Sequence, residues 1–397
     1  MTTDAAPARA RRLTPTLRGD EATVSPLELF FDLVFVLALT QCTALMADEP
    51  TWEGLAKGLL VLGVLWWSWV GYAWITSVVD PEDDAVRIVI FAAMAALLVA
   101  GLSVPEAFDD AALVFACAYA VVRIAHIALF MLASRDDPGL RASVIGLAIS
   151  TAIGTGLLVA ASFADGTLQG ALWAVALTLD MAGPYFIESE GWRLVPHHFA
   201  ERHGLIVIIA LGESIVAIGV GAHEKVDFGI AVAAVVGTCL AAAQWWLYFD
   251  VVALVAARRL AQAEPGREQN EMARDSYSYL HFPMVAGIVL VALGMKKTLG
   301  HVEDPLKLVP ATALLGGTAL YLLAHVAFRY RHIHTLNTRR LGLSVLLVAF
   351  IPAAVEIPAL ASISVLAVVL AALIGVETRA YGDSRARTRQ ELRHQAH

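Results

Sequence analysis

Asp32, Arg123, Asp180, Glu213 and Asp250 interrupt long apolar runs of this chain, and Glu28 and Glu201 stand near the ends of two such runs. A charge in such surroundings costs about 2.5 to 3.5 kcal/mol on insertion scales, so it faces a bundle interior, a wet cavity or a partner. Carboxylates placed there can hold a cation or carry a proton. An arginine cannot neutralise itself and requires an anion. The chemistry open to these residues is therefore ion or proton binding and buried charge pairing.

Glu28 and Asp32 lie one helical turn apart and project from one face of the first helix. Ser25-Pro26-Leu27-Glu28 also fits a capping box, which gives Glu28 a competing structural role. Asp32 is too deep for a cap, leaving a polar pathway or buried pair against an interfacial carboxylate. Glu213 stands between Gly212 and Ser214, ahead of Gly219 and Gly221. Glycines allow a second backbone to approach, so its helix belongs to the interior, and its carboxyl is either an ion or proton site or a hydrogen-bonded structural group. Arg123 is central in its run, with Asp180 or Asp32 preferred over Glu213 as partner. Gly183-Pro184, just after Asp180, can disrupt that helix and free carbonyls to line a cavity. His126 and His325 are open to two readings, a proton relay or a helix-to-helix hydrogen bond. His197, His198, Glu201 and His203 cluster where the seventh helix begins, at no zinc spacing, and no metal is expected.

The elements that position these residues are apolar stretches of about twenty residues each, long enough to cross a hydrocarbon core, in a chain that is 58% hydrophobic and 16% charged. An all-α polytopic membrane protein follows, its partners being the lipid bilayer and an unknown ion or small solute. Spans are expected near 27–46, 54–79, 85–104, 109–133, 141–163, 167–188, 200–221, 229–256, 277–296, 306–328, 338–355 and 357–376. That is about twelve transmembrane helices.

Landmarks recur in one order. The Glu28 run is echoed by the Glu201 run, Trp66-Trp67 by Trp245-Trp246, and Ala125-His126 by Ala324-His325. Two parallel six-helix repeats are expected, 25–188 and 200–376, joined by 189–199 and flanked by tails 1–24 and 377–397. Only Glu28 with Glu201 and His126 with His325 keep their chemistry. Asp32 aligns with Leu205, Glu213 with Thr40, Asp180 with Leu373 and Asp250 with Gly71, which points to a single asymmetric site. Asp32 and Glu213 are expected to border one polar cavity between the halves, with Glu28 and Glu201 as its cytoplasmic rim.

Arginines set the orientation, because cytoplasmic loops hold the excess of basic residues. Arg135, Arg141, Arg193, Arg202, Arg258, Arg259, Arg267, Arg274, Arg329, Arg331, Arg339 and Arg340 fall on the side of both arginine-bearing tails. The other side keeps Lys57, Lys225, Lys296, Lys297 and Lys307, so both termini are expected in the cytoplasm of a cell-membrane protein. A net charge of −8 says little when charge is divided between two faces. Residues 1–24 lack a signal-peptide core. Cys42, Cys117 and Cys239 fall in apolar spans without paired spacing and read as small packing residues, as the Trp66-Trp67 and Trp245-Trp246 pairs read as packing. No nucleic-acid motif, His-Glu-x-x-His, nucleophile elbow or phosphate loop occurs, which argues against an enzyme and gives no reason to expect a cofactor.

The run Ser25-Pro26-Leu27-Glu28-Leu29-Phe30-Phe31-Asp32-Leu33-Val34-Phe35-Val36, together with the run from Glu201 to Ser214, resembles the signature segments of the bacterial low temperature requirement A (LtrA) family. The likeness extends from about residue 20 to 380 and implies an integral membrane protein linked to growth in the cold. Phe30-Phe31-Asp32 is also similar to the Phe-Ser-Asp motif in a potassium-channel family built from six-helix units, with phenylalanine in place of the serine and Gly204-Leu205 in the second repeat. A carbonyl filter of the usual potassium type is absent. The expected activity is movement of an ion or small solute through the bundle, with a cation channel, a non-transporting sensor or assembly factor, and a lipid-acting enzyme as alternatives.

Overall fold

In hydrocarbon every backbone N–H and C=O must be paired inside its own segment, which leaves the apolar runs of this chain the α-helix as their form. The computed structural model describes residues 22–186, 192–222 and 227–380. Its first half contains α1 (Pro26–Asp48), α2 (Trp52–Val78), α3 (Asp84–Leu102), α4 (Ala112–Ala133), α5 (Pro138–Ala161) and α6 (Gly166–Phe186). The second contains α7 (Pro196–Gly221), α8 (Phe228–Phe249), α9 (Val252–Gln262), α10 (Arg267–Met272), a π-helical turn (Ala273–Tyr279), α11 (His281–Gly300), α12 (Leu308–Ile333), α13 (Thr338–Ala354) and α14 (Ala359–Ala380). No strand occurs among the described residues beyond an isolated bridge between Pro305 and Pro358. The protein is an all-α polytopic membrane protein, with 10 stretches among the described residues long and apolar enough to cross a membrane. α6, diluted by Gln169, Asp180 and Pro184, and α13, with 17 residues, fall outside that set although both lie where a span is expected.

Local chemistry sets the boundaries. The capping box at α1 is formed in full, Ser25 N–H donating to Glu28 Oε2 at 2.8 Å and Glu28 N–H to Ser25 Oγ at 3.4 Å. Thr51, Asp137, Asp227 and Asn337 cap α2, α5, α8 and α13 through their side chains. Two expected spans are present with a local irregularity in each. The span placed at 229–256 breaks after Phe249, so Asp250 ends α8 and α9 begins a separate helix. The span placed from 277 is preceded by a π-helical turn, where Leu280 N–H donates to Asp275 C=O at 3.2 Å. That wider turn brings Ser276, Tyr277 and Ser278 into the interior. Pro184 does not end α6. The nearby carbonyls of Met181 and Pro184 accept from Tyr279 Oη and from Arg274 Nη1.

The two halves pack by one scheme. α1 lies against α2 and α3, α3 against α4, α4 against α5, α5 against α6, and α6 returns to α2. In the second half α7 lies against α8 and α11, α11 against α12, α12 against α13, α13 against α14, and α14 returns to α8. The halves meet where α1 and α2 face α7 and α11.

α11 and α12 approach through small residues, as helices do in lipid. A Cβ on Gly287 would stand 2.7 Å from Gly317 C=O and 2.9 Å from Tyr321 N, and one on Gly294 would stand 2.6 Å from Leu314 Cβ. Because backbone atoms cannot yield as a side-chain tip does, Gly287→Ala is expected to cost about 1 to 3 kcal/mol. A lowered unfolding midpoint in detergent measures it, and an unchanged midpoint contradicts the close crossing.

Candidate functional site

Pro196 opens α7, which puts Arg202 in its second turn, inside the bundle and wholly buried. There it faces the first two turns of α1. Arg202 Nη2 donates to Asp32 Oδ1 at 2.9 Å, and Nη1 stands 3.4 Å from Glu28 Oε1. Trp69 of α2 donates from its indole to the same Asp32 oxygen at 2.8 Å, and the guanidinium lies 5.6 Å from the Trp69 ring. His198, one turn before Arg202, donates from Nε2 to Glu28 Oε1 at 2.8 Å and sets Nδ1 3.0 Å from Ser77 Oγ. Glu28, Asp32, His198 and Arg202 are each at most 1% exposed, and they join α1 of one half to α7 of the other. Glu201 lies beside them, its Oε2 accepting from Val24 N–H at 3.2 Å.

A second charge pair lies within the first half. Arg123 Nη2 of α4 donates to Asp180 Oδ1 of α6 at 2.8 Å and to Thr151 Oγ1 at 2.7 Å, while Nη1 donates to Trp67 C=O on α2 at 3.3 Å. Tyr119 Oη donates to the other Asp180 oxygen at 3.1 Å. The pairing expected from the depth of Arg123 is present. The second half carries a counterpart built from other positions. Arg340 of α13 donates to Glu377 of α14 from Nε at 3.0 Å and Nη2 at 2.8 Å, and Nη2 also reaches Leu247 C=O on α8 at 3.3 Å. Asn337 donates to Glu377 Oε1 at 2.7 Å.

A cleft adjoins each of these pairs. The first, about 90 Å³, is lined by Trp67 and Trp74 of α2, Arg123 and His126 of α4, and Trp192. The second, about 230 Å³, lies among α8, α9, α12, α13 and α14 and is lined by Trp246, His325, His332, Arg340 and Glu377. Both sit toward the end of the bundle where α2, α4, α8 and α12 finish.

The other expected residues are placed as follows. Glu213 accepts from Thr40 Oγ1 at 2.5 Å, two helical turns along α1 from Asp32, and neither carboxylate lines either cleft. Each carboxylate has hydrogen-bonded partners of its own, Thr40 for Glu213, and Trp69 and Arg202 for Asp32. The His126 ring of α4 lies directly against Gly71 of α2. His325 Nδ1 donates to Tyr321 C=O on its own helix at 2.9 Å. Of the α7 glycines, only Gly221 meets a neighbouring backbone, its Cβ position lying 2.8 Å from Lys296 C=O. Trp66 and Trp67 are buried as expected, but Trp245 and Trp246 are 45% and 42% exposed. Cys42 is buried, while Cys117 and Cys239 are exposed. Among the described residues no group of three or more His, Cys, Asp or Glu could hold a metal.

Arg202, His198, Arg340 and Glu377 are the charged groups that sequence reasoning missed. The sequence reading places His198 at the helix entrance and counts Arg202 and Arg340 among the cytoplasmic-side arginines. A usable signal was present: Pro196 at the first helical position, like Pro26, starts α7 early enough to carry His198 and Arg202 inside on one face.

The family model for Bacterial low temperature requirement A protein (LtrA) matches residues 23–375. An uncharacterized protein of Rhizobium meliloti (strain 1021) is 31% identical over 315 residues, covering 76% of this chain and 76% of its own. No solved structure matches. With the family match spanning nearly all the described helices, the chain belongs to the bacterial low temperature requirement A family.

Proposed function

We propose that this protein moves an ion or small solute across the membrane that holds it, taking it into clefts built one into each half of the bundle. The observation that carries this reading is the correspondence of the two clefts. Each lies beside a buried arginine–carboxylate pair, each carboxylate comes from the last helix of its half, and each arginine also holds a carbonyl of the second helix. The matched packing scheme and the preserved His126 and His325 support descent from a duplicated six-helix unit. We place the clefts toward the cytoplasm of the cell membrane, because Arg135, Arg141, Arg258, Arg259, Arg329, Arg331 and Arg379 gather at that end while Lys57, Lys296, Lys297 and Lys307 lie at the other.

The buried seam between α1 and α7 supports a second reading, a non-transporting sensor or assembly factor. There Asp32, Glu28, Arg202 and His198 close on one another and line neither cleft.

Flux into proteoliposomes separates the two readings. Against a panel of alkali cations, protons and neutral solutes, the protein is expected to carry at least one above the rate of empty liposomes. Leu147→Trp in the first cleft or Val255→Trp in the second should lower that rate about tenfold, a barrier change of about 1.4 kcal/mol. Passage of a cation alone, with a linear current and no saturation, would assign the channel form. No flux for any member of the panel would transfer the clefts to the sensor reading.

A further inference from the structure

We propose that the cleft of the second half binds a small uncharged solute carrying several hydrogen-bond donors, of the polyol kind. The assignment rests on reading the clefts as solute sites and names the class of solute for one of them.

Two imidazoles of α12 carry the argument. His325 and His332 line the cleft, are 1% and 7% exposed, and donate from Nδ1 to the carbonyls of Tyr321 and Phe328 at 2.9 and 2.8 Å. Those carbonyls assign the proton to Nδ1, so in the neutral ring Nε2 is a lone-pair acceptor. Neither Nε2 has a partner among the described residues. A buried polar atom left without a partner costs about 1 to 3 kcal/mol, which a ligand offering a donor would recover.

Charge decides against an ionic ligand. The charged side chains lining the cleft are Arg329 and Arg340 against Asp250 and Glu377, two of each sign. Arg340 is engaged by both oxygens of Glu377, and Arg329 donates to Thr335 Oγ1 at 3.0 Å. The four charges cancel, so an ion entering would lose its water with no net counter-charge to receive it.

Shape sets the length. His325 and His332 are seven residues apart on one face, about 10.5 Å along the axis at a rise of about 1.5 Å per residue. Their rings are held alike by their carbonyls, so a ligand that reaches both needs donors at two ends. Trp246, Phe328 and Ile374 offer apolar surface between them for carbon-bound hydrogens. The cleft of about 230 Å³ has room for such a molecule, whereas the tryptophan-lined first cleft is about 90 Å³.

Binding is measured on the full chain in nanodiscs by saturation-transfer NMR, with xylitol as the neutral probe, gluconate as an anion and glucosamine as a cation. Xylitol should receive saturation and the charged probes little. His325→Phe and His332→Phe should each weaken xylitol about five- to tenfold, the loss of one hydrogen-bonded acceptor. Val255→Trp, which fills the cleft from α9 and leaves both histidines in place, should abolish binding and covers the case in which a histidine variant fails to fold. Preference for gluconate or glucosamine, saturation undiminished in the folded variants, or no binding of any probe overturns the proposal. Flux measured separately keeps the two claims apart: xylitol binding without flux leaves this site standing and removes transport, and ion flux without xylitol binding does the reverse.

Discussion

Replacing Arg202 with methionine is expected to destabilise the protein by about 3 to 5 kcal/mol, the range for removing one partner of a buried ion pair. The expectation sits at the upper end because one guanidinium serves two carboxylates, Asp32 at 2.9 Å and Glu28 at 3.4 Å. Both are buried, and the remaining donors are too few to replace it. Of the two carboxylates, Trp69 donates to Asp32 and His198 to Glu28. Arg202→Lys should recover part of the loss. An ammonium supplies the charge but not the planar fork that spans two acids. The combination Glu28→Gln, Asp32→Asn, Arg202→Met removes all three charges together and should restore most of the stability, since neutral replacement of a buried ion cluster is often harmless. Unfolding midpoints in detergent, with denaturant titration, report all three. If Arg202→Met unfolds with the native midpoint, the α1–α7 seam is not held by this cluster.

The second large effect is expected at Asp180. Asp180→Ala strands Arg123, whose remaining partners are Thr151 Oγ1 and the Trp67 carbonyl, and leaves Tyr119 Oη without its acceptor. A loss of about 3 to 5 kcal/mol is expected, again as the cost of an uncompensated buried charge. Arg123→Met joined to Asp180→Leu should recover it to within about 1.5 kcal/mol, the tolerance of roughly volume-conserving apolar swaps. A double-mutant cycle measures the coupling directly. Independent, additive losses at the two positions would contradict the pair. Glu377→Ala in the second half should behave similarly, with Asn337 also losing an acceptor.

Several features were legible before any helix was placed. The hydrocarbon solvent permits few backbone solutions, so apolar length alone located helices where spans were expected, α6 and α13 among them although they fall short in hydropathy or length. The capping box at Ser25 and Glu28 was legible because its chemistry is confined to four consecutive residues. The Arg123–Asp180 pair was legible for a different reason: an arginine at mid-depth has few carboxylates at its own level, and depth can be counted along a helix.

What the sequence by itself determined about this protein is thus its helices, their depth and the residues sharing a face of each. Rise and rotation per residue are constants of the α-helix and require no neighbour. The tertiary structure alone decided which faces meet. It gave Asp32 the cation Arg202 from the other half, set Glu213 apart with Thr40, built the Arg340–Glu377 pair from positions unlike those in the first half, and opened the clefts beside His126 and His325. A helix may turn about its own axis at little cost until its neighbours pack, so partners across an interface follow from the interlocking of the bundle and not from spacing along one strand of sequence.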